Sequence, residues 1–216
     1  MHRVVPPQRI IYQGRNQYLE LRAPDVSQVP QIVDAIAETK DQLKTFMPWS
    51  HVKQSTEVQL ERMSRILGAY WRMEDMCFNG FSEAGDFVCG TGLHKRAPLN
   101  PLGCEIGYWV RRKYQGQGFA TLATKMLIVV GFDILSSDRI QISHNCENDK
   151  SRRVIAKCGF MREGLVRNIE AARTPEQLAG GLTPSRSGIA YALLPEDLAN
   201  LAWVNEVREN LRYVYV

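Results

Sequence analysis

The run Tyr114-Gln115-Gly116-Gln117-Gly118-Phe119-Ala120-Thr121 constrains this chain more than any other stretch. Ahead of it, Glu105-Ile106-Gly107-Tyr108-Trp109-Val110 reads as a strand, and behind it an apolar helix opens at Leu122. A chain that leaves a strand, turns on glycines and enters a helix points several backbone N–H groups one way, with the positive end of the helix dipole behind them. That arrangement suits a pyrophosphate. No Gly-Lys-Ser/Thr ending and no Gly-x-Gly-x-x-Gly is present, which argues against nucleoside triphosphate and dinucleotide sites. A turn that merely lets a helix pack on a strand is the other reading of the same residues.

A second motif follows: Asn148-Asp149-Lys150-Ser151-Arg152-Arg153-Val154-Ile155-Ala156-Lys157-Cys158-Gly159-Phe160. By itself it is a short helix that Asn148 or Asp149 can cap, with Val154, Ile155 and Cys158 on one face and Gly159 ending it. Two patterns, Gln-x-x-Gly-x-Ala at Gln115, Gly118 and Ala120 and Asn-x-x-Ser-x-x-x-x-x-Lys-x-Gly-Phe from Asn148, occur in order, separated by an apolar helix and a strand at 139–143. In this the chain resembles the GCN5-related N-acetyltransferase (GNAT) superfamily. The resemblance covers roughly residues 9 to 195. Glu105-Ile106-Gly107-Tyr108-Trp109, the Asn-x-x-Ser motif and Met47-Pro48-Trp49 are similar to the Rim-type branch, which acetylates the N-terminal α-amine of ribosomal proteins.

The resemblance implies acetyl-CoA as acyl-donor cosubstrate, no metal, and direct transfer from thioester to amine without a cysteine nucleophile. It implies a cofactor loop of Gln115, Gly116, Gln117, Gly118, Phe119 and Ala120 acting through backbone N–H groups. Trp109 and Val110 would pair their backbone with the pantetheine amides, their side chains serving the core. Asn148 would contact the pantetheine or cap its helix. Glu105 falls in the acceptor cleft, as a base acting directly or through water, or as a strand glutamate that orients the amine. Ser151 becomes the candidate donor toward the leaving thiolate, mainly by stabilising its charge, or a serine that satisfies backbone N–H groups. Many superfamily members place a tyrosine at the donor position, and none lies near Ser151 in sequence.

A chain of 216 residues with 44% hydrophobic content builds one well-cored domain, here 1–216 with a C-terminal helical extension at 195–216. Net charge is +4, with basic clusters at Arg111-Arg112-Lys113 and Lys150-Arg152-Arg153-Lys157 on either side of the proposed phosphate site. That balance fits an anionic cofactor better than direct nucleic-acid binding. Cys77, Cys89, Cys104, Cys146 and Cys158 lie at wide spacings without Cys-x-x-Cys, and His51, His94 and His144 are isolated, so neither a disulfide framework nor a zinc site is expected. With no signal-like start and no long apolar run, a cytoplasmic protein without membrane contact is expected.

Hydrophobic periodicity predicts a hairpin at 10–12 and 18–22, helices at 25–37 and 41–47, and a helix capped by Ser55. Strands follow at 76–82, 87–93 and 103–110, then the helix carrying Phe119, Leu122, Ala123, Met126, Leu127 and Val130, and strands at 160–167 and 188–194. The segment 174–187 is polar and reads as a long mobile loop; the resemblance implies that it lies beside the amine entrance, where it would help to choose the substrate. The fold class is α/β of the mixed α+β kind, a central, mostly antiparallel twisted sheet with helices on both faces. The acceptor is expected to be a protein N-terminus, a ribosomal protein included. A small amine such as a polyamine or aminoglycoside is the rival, served by Glu57, Glu61, Glu74, Asp75, Glu83 and Asp86 if they converge, and a non-catalytic acyl-CoA-binding regulator is a third reading. A homodimer is compatible with all three.

Overall fold

The computed structural model describes residues 5–95, 100 and 102–215. The N-terminal hairpin forms as β1 (Arg9–Gln13) and β2 (Tyr18–Arg22). Helix α1 (Val29–Phe46) follows a short turn in which the Asp25 carboxylate accepts from Ser27 N–H. Sequence periodicity divides this region into two helices, but one continuous helix forms. Glu38-Thr39-Lys40 contains no helix breaker, and Thr39 is buried with its hydroxyl accepting from Arg112 N–H at 3.0 Å. Helix α2 (Thr56–Trp71) starts on Ser55, whose side chain accepts from Val58 N–H, and runs through Gly68.

The remaining elements are β3 (Asp75–Phe81), β4 (Phe87–His94), β5 (Gly103–Val110), α3 (Phe119–Val129), β6 (Arg139–Asn145), α4 (Asp149–Cys158), β7 (Met161–Val166), α5 (Pro175–Ala179), β8 (Gly188–Leu193), α6 (Trp203–Asn210) and β9 (Leu211–Val214). They make one nine-stranded sheet in the order β7-β8-β6-β5-β4-β3-β2-β1-β9. Every pairing is antiparallel except β5 with β6. That parallel pair requires a crossover, which α3 supplies.

The expected helical extension at 195–216 is helical only in part. After a 3-10 turn (Pro195–Asn200) and α6, residues Leu211–Val214 become β9 and pair with β1 from Tyr12↔Leu211 to Arg9↔Val214. An unpaired strand edge exposes a row of N–H and C=O groups, and β9 covers the one on β1. The expected loop at 174–187 is likewise built: Thr174 and Gln177 form a capping box around α5, Leu182 and Thr183 are buried, and Thr183 N–H donates to Thr45 C=O at 3.1 Å.

Strand alternation divides the central residues between two layers. Met76, Phe78, Leu93, Cys104, Ile106, Ile140 and Ile142 pack against α3, α4 and α6. The opposite face lies under α1 and α2, whose Val29, Ile32, Ile36 and Met63 form a second cluster with Phe81 and Phe87. The α3 stripe is fully used, since Leu122, Ala123, Met126, Leu127 and Val130 are all at most 5% exposed. Leu127→Ala leaves a cavity that the packed strands cannot close, so a loss of about 3 kcal/mol is expected in urea unfolding, with an unchanged m-value.

Candidate active site

Strands β5 and β6 pair only from Gly103↔Arg139 to Glu105↔Gln141, yet β5 runs on to Val110 and β6 to Asn145. Beyond Glu105 the two strands part. Each then leads into a helix, β5 into α3 and β6 into α4, so two helix N-termini with their orphan N–H groups stand at the mouth of the opening. At α3 the turn is made by Gly116 (φ 77°) and Gly118 (φ 86°), a left-handed conformation that disfavours residues with a Cβ, and no side chain caps the helix. Its first-turn amides, at Phe119 and Ala120 among others, are therefore not met by a capping side chain and can receive an anion.

The loop is bracketed by the middle of α1. Glu38 accepts from Arg111 Nε at 2.6 Å and from Lys113 N–H at 2.8 Å, Thr39 takes Arg112 N–H, and Gln42 accepts from Gln115 Nε2 at 2.8 Å. These bonds hold the Glu38 carboxyl below its usual range, against the partial desolvation that raises it. Gln115 also donates to Val110 C=O at 3.0 Å, tying the loop to the strand end, while Gln117 donates to Lys113 C=O and receives Gln17 Nε2 on its own carbonyl. Of the two basic clusters, Arg111, Lys113 and Arg152 are engaged by carboxylates; among the described residues Arg112, Lys150, Arg153 and Lys157 make no ion pair.

At α4, Asn148 Oδ1 accepts from Ser151 N–H at 3.1 Å, so capping is what this side chain does in the free protein. Ser151 Oγ lies 2.9 Å from the Tyr108 hydroxyl. Burial pushes Tyr108 up to about 12, against the lowering effect of the Ser151 bond. Sequence reasoning looked for a tyrosine near Ser151 along the chain and missed this one across the sheet. The signal was present in β5, where Cys104, Ile106 and Tyr108 alternate toward the α3–α4 layer.

Glu105 points to the other face, where it accepts from Ser143 Oγ at 3.3 Å. Directly opposite stands His94, and opposite His94 stands Asp75. His94 Nδ1 is 2.5 Å from Asp75 Oδ1. The next row, Cys77–Gly92–Gly107, has glycine at two of three places, and the His94 ring leans over it: an added Cβ would lie 3.2 Å from ring atoms at either glycine. Trp109 lies in the same way over Gly90, with its ring 5.3 Å from Phe87 and 6.1 Å from Trp49. Arg62 of α2 stacks on Trp49 at 5.1 Å. Burial pulls its guanidinium below the ordinary value while the charges of Cys77 and Asp75 pull it back up.

Asp75, Cys77 and His94 bring donor atoms within 4.8 Å of one another, which linear spacing had hidden. Arg62 of α2 is near enough to feel the charge of Asp75. His51 Nε2 lies 2.8 Å from Lys44 C=O and His144 stacks on Tyr191. Three of the acidic residues considered for a polycation are already engaged, Glu74 by Arg72, Asp75 by His94, and Asp86 by Lys113 and Tyr114.

Residues 18–161 match the family described as the acetyltransferase (GNAT) domain. The chain belongs to the GNAT family of N-acetyltransferases. Its relatives include a putative ribosomal N-acetyltransferase YdaF of Bacillus subtilis, 27% identical over 158 residues, spanning 71% of this chain and 83% of the relative. The ribosomal-protein-serine acetyltransferase of Escherichia coli is 26% identical, covering 72% of this chain and 86% of its own. Mycobacterium smegmatis RimJ, solved with CoA-disulfide, superposes with a TM-score of 0.77 at 21% identity, over 96% of this chain and 97% of that one. No helix among the described residues is long and apolar enough to cross a membrane.

The buried hydroxyl of this GNAT domain makes a pH prediction. Tyr108 keeps its proton in the folded state to about 12, whereas the unfolded chain loses it near pH 10, so the folded state binds more protons between those values and stability falls as pH rises through them. Tyr108→Phe should flatten that fall by on the order of 2 kcal/mol, read as the difference in urea midpoints of variant and parent from pH 9 to 11.5.

Proposed function

We propose that this protein transfers acetyl from acetyl-CoA to the N-terminal α-amine of a protein, a ribosomal protein being the acceptor that the names of its relatives suggest. The observation that carries the reading is the parting of β5 and β6, with an uncapped helix N-terminus at its mouth, Glu105 on one face of β5 and the Tyr108–Ser151 pair on the other. Gly116, Gln117, Gly118, Phe119 and Ala120 would hold the pyrophosphate by backbone N–H groups. The parted edge of β5 at Trp109 and Val110 suits the pantetheine amides as an added strand would be suited. Acetyl-CoA supplies the activated acyl group, and the protein's own work is positioning and charge stabilisation.

The acceptor side must offer an amine without its proton. A peptide α-amine has a pKa near 8 and a lysine amine near 10.4, so at neutral pH the first is unprotonated roughly two hundred times more often. For the first, a carboxylate such as Glu105 that hydrogen-bonds and orients the amine beside a half-solvated cleft goes far, because little proton removal remains to be done. On the leaving side Tyr108 at about 12 is a poor acid against an ordinary thiol near 8.5, and full proton transfer would run uphill by about 5 kcal/mol. Tyr108 and Ser151 therefore act by hydrogen bonding to developing charge. The engagement of Glu74, Asp75 and Asp86 by neighbouring groups weighs against a polycationic acceptor, and the paired Tyr108 and Ser151 hydroxyls weigh against a binding-only role.

Gly118→Glu should abolish acetyl-CoA binding in calorimetry, because it fills the cradle and places a negative charge there. Gly118→Asn, which tolerates the left-handed backbone without charge, should retain most of it. A correctly folded Gly118→Glu protein with parental affinity would refute the cradle. For the chemistry, kcat and KM should be measured against N-terminal Ser and Ala peptides, lysine peptides and polyamines. The N-terminal peptides should lead, and Glu105→Gln should lower kcat about a hundredfold with acetyl-CoA affinity intact; a preference for lysine peptides or polyamines would overturn the α-amine assignment.

A further inference from the structure

The Asp75–His94 pair is an acid–base device that the proposed chemistry has not yet used. Asp75 begins β3, His94 ends β4 and Glu105 lies on β5, in one cross-strand line on the face covered by α1 and α2. A carboxylate accepts hydrogen bonds only, so the 2.5 Å contact between Asp75 Oδ1 and His94 Nδ1 assigns the ring proton to Nδ1. In the neutral ring Nε2 then carries a lone pair. That atom points along the sheet to Gly107, where an added Cβ would sit 3.2 Å away, and no other hydrogen bond to Nε2 exists among the described residues. Two glycines on neighbouring strands have left the floor open for an imidazole laid flat beside Glu105. Among the described residues the groups beside the ring are Asp75 and Cys77 from β3 and Glu105 from β5, with Arg62 of α2 near enough to feel the charge of Asp75.

Resting on the reading of this face as the acceptor side, we propose that His94, oriented by Asp75, takes the proton that the acceptor amine gives up, while Glu105 orients the amine. As the new N–C bond forms, the thioester C–S bond breaks and the coenzyme leaves as thiolate. One N–H proton of the attacking nitrogen passes to His94 Nε2, giving an imidazolium that Asp75 stabilises across its 2.5 Å contact. It returns to solvent at the ends of β3 and β4, where the Asp75 and His94 side chains are 38% and 20% exposed. Asp75 touches no substrate in this scheme and is a positioning residue. A carboxylate that fixes the tautomer and orientation of a basic imidazole is a recurrent arrangement in acyl transfer.

The test uses the full chain with a seven-residue N-terminal Ser peptide. His94→Gln should bind acetyl-CoA with parental affinity in calorimetry and lower kcat by about a hundredfold, with KM for the peptide changed by less than threefold. Asp75→Asn should cost about tenfold in kcat. His94→Ala opens a gap over the glycine floor, and added imidazole should restore at least tenfold of its lost rate, which a purely structural histidine would not allow. Independently of turnover, imidazole 15N NMR of the free protein should show Nδ1 protonated and Nε2 bare, with the preference lost in Asp75→Asn. Parental kcat in His94→Gln, or no imidazole rescue of a folded His94→Ala, overturns the assignment. If the parent itself acetylates no N-terminal peptide, the acceptor reading falls instead, so the two failures are distinguishable.

Discussion

The short parallel pairing of β5 with β6 is the constraint on which the rest of the site depends. Three registered pairs hold the strands together up to Glu105, and then the two chains separate because each must enter a helix on the same side of the sheet. In an otherwise antiparallel sheet this creates an internal edge, and such an edge can take an occupant that hydrogen-bonds in an extended conformation. The crossover that makes the pair parallel also delivers the α3 N-terminus to the end of that edge. The parted edge and the uncapped helix N-terminus beside it are thus consequences of one topological choice.

Parity along a single strand then sorts the chemistry. Odd positions of β5, Glu105 and Trp109, face α1 and α2, while Tyr108 faces α3 and α4, where it meets Ser151. A reaction centre lying in the parted region is reached by a carboxylate from one side and by hydroxyls from the other, with no side chain needing to bend around the backbone. A one-residue slip of β5 would exchange the two sets. The close approaches of His94 and Trp109 to glycines on the same face show how finely the register is used.

Much of this was legible in the sequence because it is local. The bounds of β5 and the caps at Ser55, Asn148 and Gly159 follow from alternation and terminal residue types, and the structure has them where the sequence put them. What escaped is non-local. The reading of α1 as two helices missed that Glu38 and Thr39, in the stretch taken as a gap, clamp residues 111–115 together with Gln42 just beyond it. The segment 174–187 looked mobile by composition, but its order comes from contacts with Thr45, Glu147 and Asn145 that composition does not encode. Tyr108 with Ser151 and Asp75 with His94 are likewise partners only through strand register.

Strand β9 ties Leu211–Val214 to β1, so residues from the two extremes of the described chain lie side by side in one ladder. Closing so long a loop costs entropy that grows only slowly with length, yet it must be spent before the pairing returns any gain. A ribosome making this protein exposes the outer edge of β1 early and keeps it exposed until residue 214 has cleared the exit tunnel. Until then the nascent sheet carries an open hydrogen-bonding edge, and its burial comes only after the other eight strands have been made.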